Sequence, residues 1–400
     1  MERRLLDSEP VRYARRGPLV DASGRKRVLA VLPWLTRGGV ERAILQMAAA
    51  LPRDRCELLC ATSRESAHEW AGRMRALSSD LLLLGETTPE KDQPAAVLQL
   101  LRDRQVDALF TVNSWLGLET ARLARAELPS LRTIDYQHTD LQTPGADFAR
   151  QSCLRFDRFL DLRLVSTEHL RERYRAYGVD PAKVRLVRAG CDEALFDPEK
   201  VAPGSLAEIG IPPGAKTVGF IGRLVEEKDP AFVARVFAAL DERAGPLHFI
   251  FLGEGPQRGA IEEVLRPRGL LPRTRFLAGD TNIAAALRDL TLTLMAPRTE
   301  GLPLVFFESL SMRVPVVSTA MAGIPELIDG EVGACVPDAP DDSTRLNRMV
   351  EAALPFLQDE RRRLKAGSHG RERIINDFSA SQTAADYRSA FEWLFRDVSS

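Results

Sequence analysis

The chain has 400 residues, 44% of them hydrophobic and 28% charged, with a formal net charge of −1 at pH 7. That length supports two domains with separate cores. The charge balance excludes the global positive field of a nucleic-acid binder. Five scattered cysteines, none in a C-x-x-C pair, suit buried free thiols in a reducing compartment and argue against a disulfide framework.

Residues 1–25 are polar and broken by Pro10, Gly17, Pro18 and Gly24, which predicts a flexible N-terminal arm. The arm is Arg-rich but lacks the apolar stretch of a secretory signal. No apolar run approaches the ~20 residues that span a bilayer. Val28–Leu32 then reads as a buried parallel strand, followed by Gly38-Gly39 and a helix from Val40. Further strands are expected at Glu57–Ala61, Leu81–Leu84, Ala108–Val112, Arg132–Tyr136 and Leu162–Val165, with helices such as Ala95–Arg104 and Gly117–Ala126 between them. This alternation predicts a doubly wound α/β domain over 26–195.

Asp197-Pro198, Pro203-Gly204 and Pro212-Pro213-Gly214 crowd turn formers together and predict a linker over 196–215. Alternation restarts with strands at Thr217–Ile221, Leu247–Leu252, Thr274–Leu277, Leu292–Met295, Val316–Ser318 and Ala334–Val336. That predicts a second Rossmann-like domain over 216–380. The tail from Asp341 to Phe395 reads as helical with turns near Pro355 and Asp377, its last helix (381–400) returning to the first domain. Ligands of open α/β sheets bind at strand carboxyl ends, so two such domains are expected to face one another across a cleft.

Five motifs stand at expected strand ends. Thr299-Glu300-Gly301-Leu302-Pro303-Leu304 runs into a helix that carries Glu308. Backbone N–H groups from Gly301 to Leu304 would attract a phosphate there. On spacing alone an ordinary strand–loop–helix junction with two surface acids is the favoured reading. Gly222-Arg223 and Lys228 follow the strand ending at Ile221, and the two cations can converge on one anion. Gly253-Glu254-Gly255-Pro256 misses the dinucleotide fingerprint, because the next glycine is Gly259. Gly38-Gly39 permits close backbone approach to a ligand or makes a plain turn. His138 follows the strand ending at Tyr136 and is either structural or catalytic. There is no D-x-D triplet, P-loop, H-E-x-x-H, clustered Cys/His set or G-x-S-x-G, so no metal site is expected.

With its neighbours, this text resembles the retaining glycosyltransferases of family 4 (glycosyl transferases group 1), which have the GT-B fold. Glu300 and Glu308 match that family's E-x7-E motif. Gly222-Arg223-Leu224 with Lys228 matches G-R-L-x-x-x-K, and Val314-Pro315-Val316-Val317 with Gly323-Ile324-Pro325-Glu326 matches the downstream text. Four departures stand out: Asp229 replaces Gly or Asn, Arg313 replaces Gly, Ala322 replaces Gly, and Ala189 replaces Asn. The likeness covers about residues 28–395 and is weaker in the first half.

The resemblance implies a retaining, metal-independent transfer of a sugar from a nucleotide-diphosphate donor to a glycan, lipid-linked or small-molecule hydroxyl. Arg223 and Lys228 would hold the diphosphate, Glu300 the donor sugar, Glu308 the ribose, and His138 would orient the sugar. Gly38, Gly39, Gly222, Glu254, Gly301, Leu302, Pro303 and Leu304 would line the donor. No cofactor is implied. A nucleotide-sugar epimerase of the same fold and a non-catalytic nucleotide-sugar-binding partner are the alternatives. Base recognition would fall near Arg275–Asp280.

The segment from Arg150 to Arg188 holds ten Lys/Arg against five acids. It is either a solvated face or a patch for anionic lipid head groups or an anionic acceptor. A cytoplasmic protein is expected, with peripheral contact on the membrane's inner face as the second reading.

Overall fold

The computed structural model describes residues 24–138, 142–143, 146–279 and 281–396. All but the last two residues of the expected arm, and Asp280 of the expected base-recognition segment, lie outside the described residues. The chain divides into two compact units, one running to Arg188 and resuming at Thr383, the other spanning Ala189–Gln382.

The first unit holds a seven-stranded parallel sheet in the order β3-β2-β1-β4-β5-β8-β9. Its strands are β1 (Lys26–Leu32), β2 (Cys56–Thr62), β3 (Asp80–Leu83), β4 (Ala108–Val112), β5 (Arg132–Gln137), β8 (Leu162–Val165) and β9 (Val184–Leu186). A short antiparallel pair, β6 (Gln142–Thr143) with β7 (Ala146–Asp147), stands apart from it. β1 shows why the apolar runs are continuous. Val28, Ala30 and Leu32 pack into one cluster with Ile44, Met47 and Phe110. Leu29 and Val31 pack into another with Val97, Leu101 and Leu118. A strand covered on both faces has no solvent side on which to place polar residues.

Polar residues in this sheet are there for a reason. Arg163 of β8 is wholly buried and pairs with Asp135 of β5 at 3.0 Å and Asp157 at 2.7 Å. It also donates to the Ser152 carbonyl at 3.0 Å, so most of its donors are satisfied. Burial pushes the Asp135 carboxyl up to about 6, against the pull of Arg163.

The second unit holds a six-stranded parallel sheet in the order β12-β11-β10-β13-β14-β15. Its strands are β10 (Thr217–Ile221), β11 (His248–Leu252), β12 (Thr274–Leu277), β13 (Leu292–Met295), β14 (Val316–Thr319) and β15 (Gly333–Val336). Its core is rich in phenylalanine; Phe237 stacks on Phe249 with centroids 4.8 Å apart. In both sheets the strand order reverses beside the first strand, between β1 and β4 and between β10 and β13. Chains leaving these paired strands diverge, which opens space at their carboxyl ends.

Three expectations need correction. The residues read as a linker are part of the second unit: Phe196, Leu206 and Ile211 are buried in its core, as is Cys191 just before them. The Asp289 carboxylate accepts the N–H groups of Gly204 and Leu206 there. Turn formers mark chain wrapping a core, which composition alone does not distinguish from a free linker. Pro355 does not break its helix (Asp342–Gln358); it stands inside the last turn, where it removes one backbone donor. The break comes at Asp359, which caps the next helix, Glu360–Asp377. The edge strand β9 lies where no strand is expected, because three residues flanked by Lys183 and centred on Arg185 carry no apolar run.

The last helix, Ala380–Leu394, places Tyr387, Ala390, Phe391 and Leu394 in the first unit's apolar cluster.

Candidate functional site

The richest chemistry lies in the second unit, at the carboxyl ends of the adjacent strands β10 and β13. β10 ends at Ile221 in an apolar core, and Gly222 follows with φ +157°. The Gly222 N–H donates to the Leu252 carbonyl at 2.9 Å, and the Leu224 N–H to the Glu254 carbonyl at 2.8 Å. The loops after β10 and β11 therefore run on as a ladder beyond the sheet. Glycine is required in this lacing. A Cβ on Gly253 would lie 2.1 Å from the Gly222 carbonyl oxygen, and one on Gly255 2.4 Å from that of Leu224. Glu254 thus contributes its backbone carbonyl to the loop, while its side chain is exposed.

The chain then makes a short 3-10 turn, Glu226–Lys228, that carries the two expected cations apart. Arg223 is exposed and ion-paired with Glu227. Lys228 turns inward, 16% exposed, and its ammonium meets the carboxylate of Glu300, itself 13% exposed, from the loop after β13. Burial, helped by the nearby Arg223 guanidinium and opposed by Glu227, draws the Lys228 ammonium down to about 8. It is charged at neutral pH, and contact with Glu300 favours that form.

Past Glu300, Gly301 is buried and its carbonyl accepts the N–H of Gly323 at 3.2 Å. Pro303 then precedes the helix Leu304–Ser311, and no side chain caps that helix. Pro303 has no N–H, so the donors in this stretch are those of Gly301, Leu302 and Leu304. Glu308 lies in the same helix and is 3% exposed.

Several residues that shape this site were not anticipated. Asp229, directly after Lys228, adopts a left-handed backbone with φ +49°. Its carboxylate receives Arg345 at 2.7 Å and Arg298 at 2.9 Å. Arg313 and Ala322 are left-handed as well, with φ +61° and +43°. Three of the four departures from the resembled pattern therefore fall where glycine would be unstrained. Arg275 serves the fold: it donates to the carbonyls of Ile209 at 2.7 Å and Pro272 at 2.8 Å.

In the first unit, Gly38 and Gly39 stand at the start of the helix Gly39–Ala50, after β1. A Cβ on Gly38 would come 2.2 Å from the Glu41 carboxylate oxygen, so its emptiness accommodates this chain's own side chain. His138 follows β5 and is 8% exposed, its ring 3.9 Å from that of Tyr136. Its backbone N–H donates to the side-chain oxygen of Asn113 at 3.3 Å. Burial lowers the imidazole to about 3, so it is neutral at ordinary pH. Its Nε2 has no hydrogen-bond partner among the described residues.

Much of the basic segment is compensated internally. Arg163 is interior; Arg171 pairs with Glu168 at 2.7 Å, and Arg173 with Asp147 at 3.2 Å. A cavity of about 300 Å³ opens between Arg171, Arg175, Arg185, Val179 and Pro181. Among the described residues, no helix is long and apolar enough to cross a membrane.

Known proteins converge on one reading. Residues 215–354 match the family described as Glycosyl transferases group 1, and residues 37–195 match Glycosyltransferase Family 4. Alpha-maltose-1-phosphate synthase of Mycolicibacterium smegmatis is 29% identical over 52% of this chain and 58% of its own length. D-inositol 3-phosphate glycosyltransferase of Corynebacterium glutamicum is 27% identical over 72% of this chain and 73% of its own. Among solved structures, Anabaena Alr3699/HepE in complex with UDP superposes with a TM-score of 0.75 at 17% identity, covering 92% of this chain and 100% of that one. The two parallel sheets, the charged loops at β10 and β13 and these matches agree: the chain belongs to the group 1, family 4 glycosyltransferases and has their two-domain α/β GT-B fold.

Proposed function

We propose that the protein is a retaining, metal-independent glycosyltransferase that moves a sugar from a nucleotide-diphosphate donor to a glycan, lipid-linked or small-molecule hydroxyl. The observation that carries this reading is the meeting of Lys228 and Glu300 at the carboxyl ends of two adjacent strands, beside an uncapped helix start. In the reaction, the bond between the anomeric carbon and a diphosphate oxygen breaks, and its electron pair leaves with the diphosphate. The acceptor oxygen bonds to the same face of that carbon, and its proton passes to the departing phosphate.

Negative charge grows on the leaving group, so preorganised cations stabilise the transition state more than the ground state. Lys228 and Arg223 take that role together with the N–H groups of Gly301, Leu302 and Leu304, where other enzymes use a metal. Donor binding draws Lys228 away from Glu300, which frees the carboxylate for the donor sugar's hydroxyls. Glu308 holds the ribose, and neutral His138 orients a bound sugar through its unpartnered nitrogen. Gly38, Gly39, Gly222 and Glu254 border the donor. The reading extends to action in the cytoplasm, with the arginine-lined cavity of the first unit as a peripheral contact for anionic head groups.

The test is thermal stabilisation by UDP-, GDP-, ADP- and dTDP-sugars, followed by product analysis with the stabilising donor. A ligand that binds the folded chain raises the apparent Tm, the more so the further its concentration exceeds Kd. Stabilisation by one nucleotide class and an unchanged transfer rate in chelator support the proposal. Absence of stabilisation by every donor, or a rate that collapses in chelator, overturns it in the corresponding part.

A further inference from the structure

Asp229 is a residue the donor chemistry does not use, yet it stands beside Lys228. It opens the helix Pro230–Ala244, but its side chain does not cap that helix. Instead both guanidinium contacts fall on one oxygen, Oδ2: Arg345 Nη1 at 2.7 Å and Arg298 Nε at 2.9 Å. Arg345 reaches in from the helix Asp342–Gln358, is 10% exposed, and lies over the Phe232 ring at 3.9 Å. Its other nitrogen donates to the Ala296 carbonyl at 2.6 Å, at the point where the chain leaves β13. The Arg298 N–H donates in turn to the Glu227 carbonyl at 2.9 Å.

The stretch 227–229 and the stretch 296–298 are thus fastened at three points: Ala296 through Arg345, the Arg298 backbone through Glu227, and the Arg298 side chain through Asp229. Lys228 lies inside the first stretch, and Glu300 lies two residues beyond the second. A left-handed backbone at 229 is unfavourable for a residue with a Cβ and is retained where surrounding contacts determine it. Cation and carboxylate must be held to a fraction of an ångström to act on a developing charge.

Building on the donor-site reading above, we infer that Asp229 with Arg345 is a positioning pair that locks the Lys228 loop to the Glu300 loop, touching neither nucleotide nor sugar. The pair sets the separation of the two groups, so its loss misplaces both while leaving each present.

The experiment uses the full chain with Asp229→Gly, Asp229→Asn, Arg345→Gln and, as control, Lys228→Ala. Asp229→Gly suits the left-handed backbone and removes only the carboxylate, so it keeps the test open if the other variants fold poorly. Lysine amines carrying 13C-methyl groups are titrated by NMR, Lys228 being one of seven lysines. Affinity is measured for UDP, GDP, ADP and dTDP, and Tm is measured alongside. The expected result is a Lys228 titration moved up toward the usual lysine range as water enters. The tightest nucleotide should weaken roughly tenfold, in keeping with misplacement on the ångström scale. A lowered Tm with both readouts unchanged makes the pair merely structural and overturns the inference. Loss of nucleotide binding in Lys228→Ala but not in Asp229→Gly also overturns it, with the donor site left standing. Undiminished binding in Lys228→Ala brings down the donor-site reading itself.

Discussion

In the first unit, the residues at the strand ends nearest the reversal are glycine, histidine and asparagine: Gly38 after β1, Asn113 after β4, His138 after β5. In the second, the equivalent loops after β10 and β13 carry Arg223, Glu227, Lys228, Asp229, Arg298 and Glu300, all of them in ion pairs. The strand plans are alike, so the difference is not dictated by the fold. It teaches that one sheet has been supplied with mutually paired, preformed charge and the other mostly with uncharged groups, the Glu41 carboxylate beside Gly38 apart. A group that stabilises growing negative charge must be charged beforehand and fixed in place. A surface that takes a hydroxyl-bearing partner needs hydrogen-bonding capacity and little charge.

The sharpest way to break this comparison is Lys228→Ala. Removing one preorganised donor should lower kcat/KM by roughly 10²–10³-fold, with the far-UV spectrum unchanged. Steady-state kinetics check it, and a loss no larger than that from a first-unit substitution would erase the distinction. His138→Asn is that substitution, and an orienting role should cost about tenfold in kcat.

Glu308→Gln should weaken nucleotide binding by about 1–2 kcal/mol through one charged hydrogen bond, read by calorimetry. Nucleotide affinity of the wild type should also fall as pH rises through about 8, because Lys228 then loses its proton. An affinity flat from pH 7 to 9 removes Lys228 from the anion site.

Histidine separates the two surfaces in stability as well. The folded His138 imidazole titrates near 3, below its ordinary 6.5. Between those values the unfolded chain binds a proton that the folded chain does not. Stability should therefore decline as pH falls from 6.5 toward 3. His138→Asn should show a shallower decline in urea titrations at pH 7 and 5. The smallest effect expected is from Ala322→Gly, which relieves a left-handed alanine but loosens the unfolded chain. A gain of about 0.5 kcal/mol, or roughly 1–2 °C in Tm, follows from those opposed contributions.

The sheets were legible because parallel strands buried on both faces must be apolar throughout. Val28–Leu32, Thr217–Ile221 and Leu292–Met295 announce themselves that way. The Lys228 and Glu300 loops were legible through the resemblance to family 4, since spacing alone left them as ordinary loops with charged residues. What fixes them was hidden. Asp229 and Arg345 are 116 residues apart, and nothing local marks them as partners. The departures at Asp229, Arg313 and Ala322 were visible as replaced glycines, but their shared left-handed backbone is a property of φ that a side-chain alphabet does not display. The wrapping of 189–215 was hidden for a related reason: prolines and glycines report where a chain turns, and Phe196 and Leu206 report only that something covers them.

The closing helix has a consequence for the order in which the molecule is made. Tyr387, Phe391 and Leu394 complete the apolar layer of the unit that is synthesised first, with the Tyr387 hydroxyl reaching the Ala43 carbonyl at 3.3 Å. Every residue of the second unit leaves the ribosome before them. Phe110, whose ring centroid lies 5.8 Å from that of Phe391, therefore lacks that cover until this helix emerges, so the later unit is the first that can be whole.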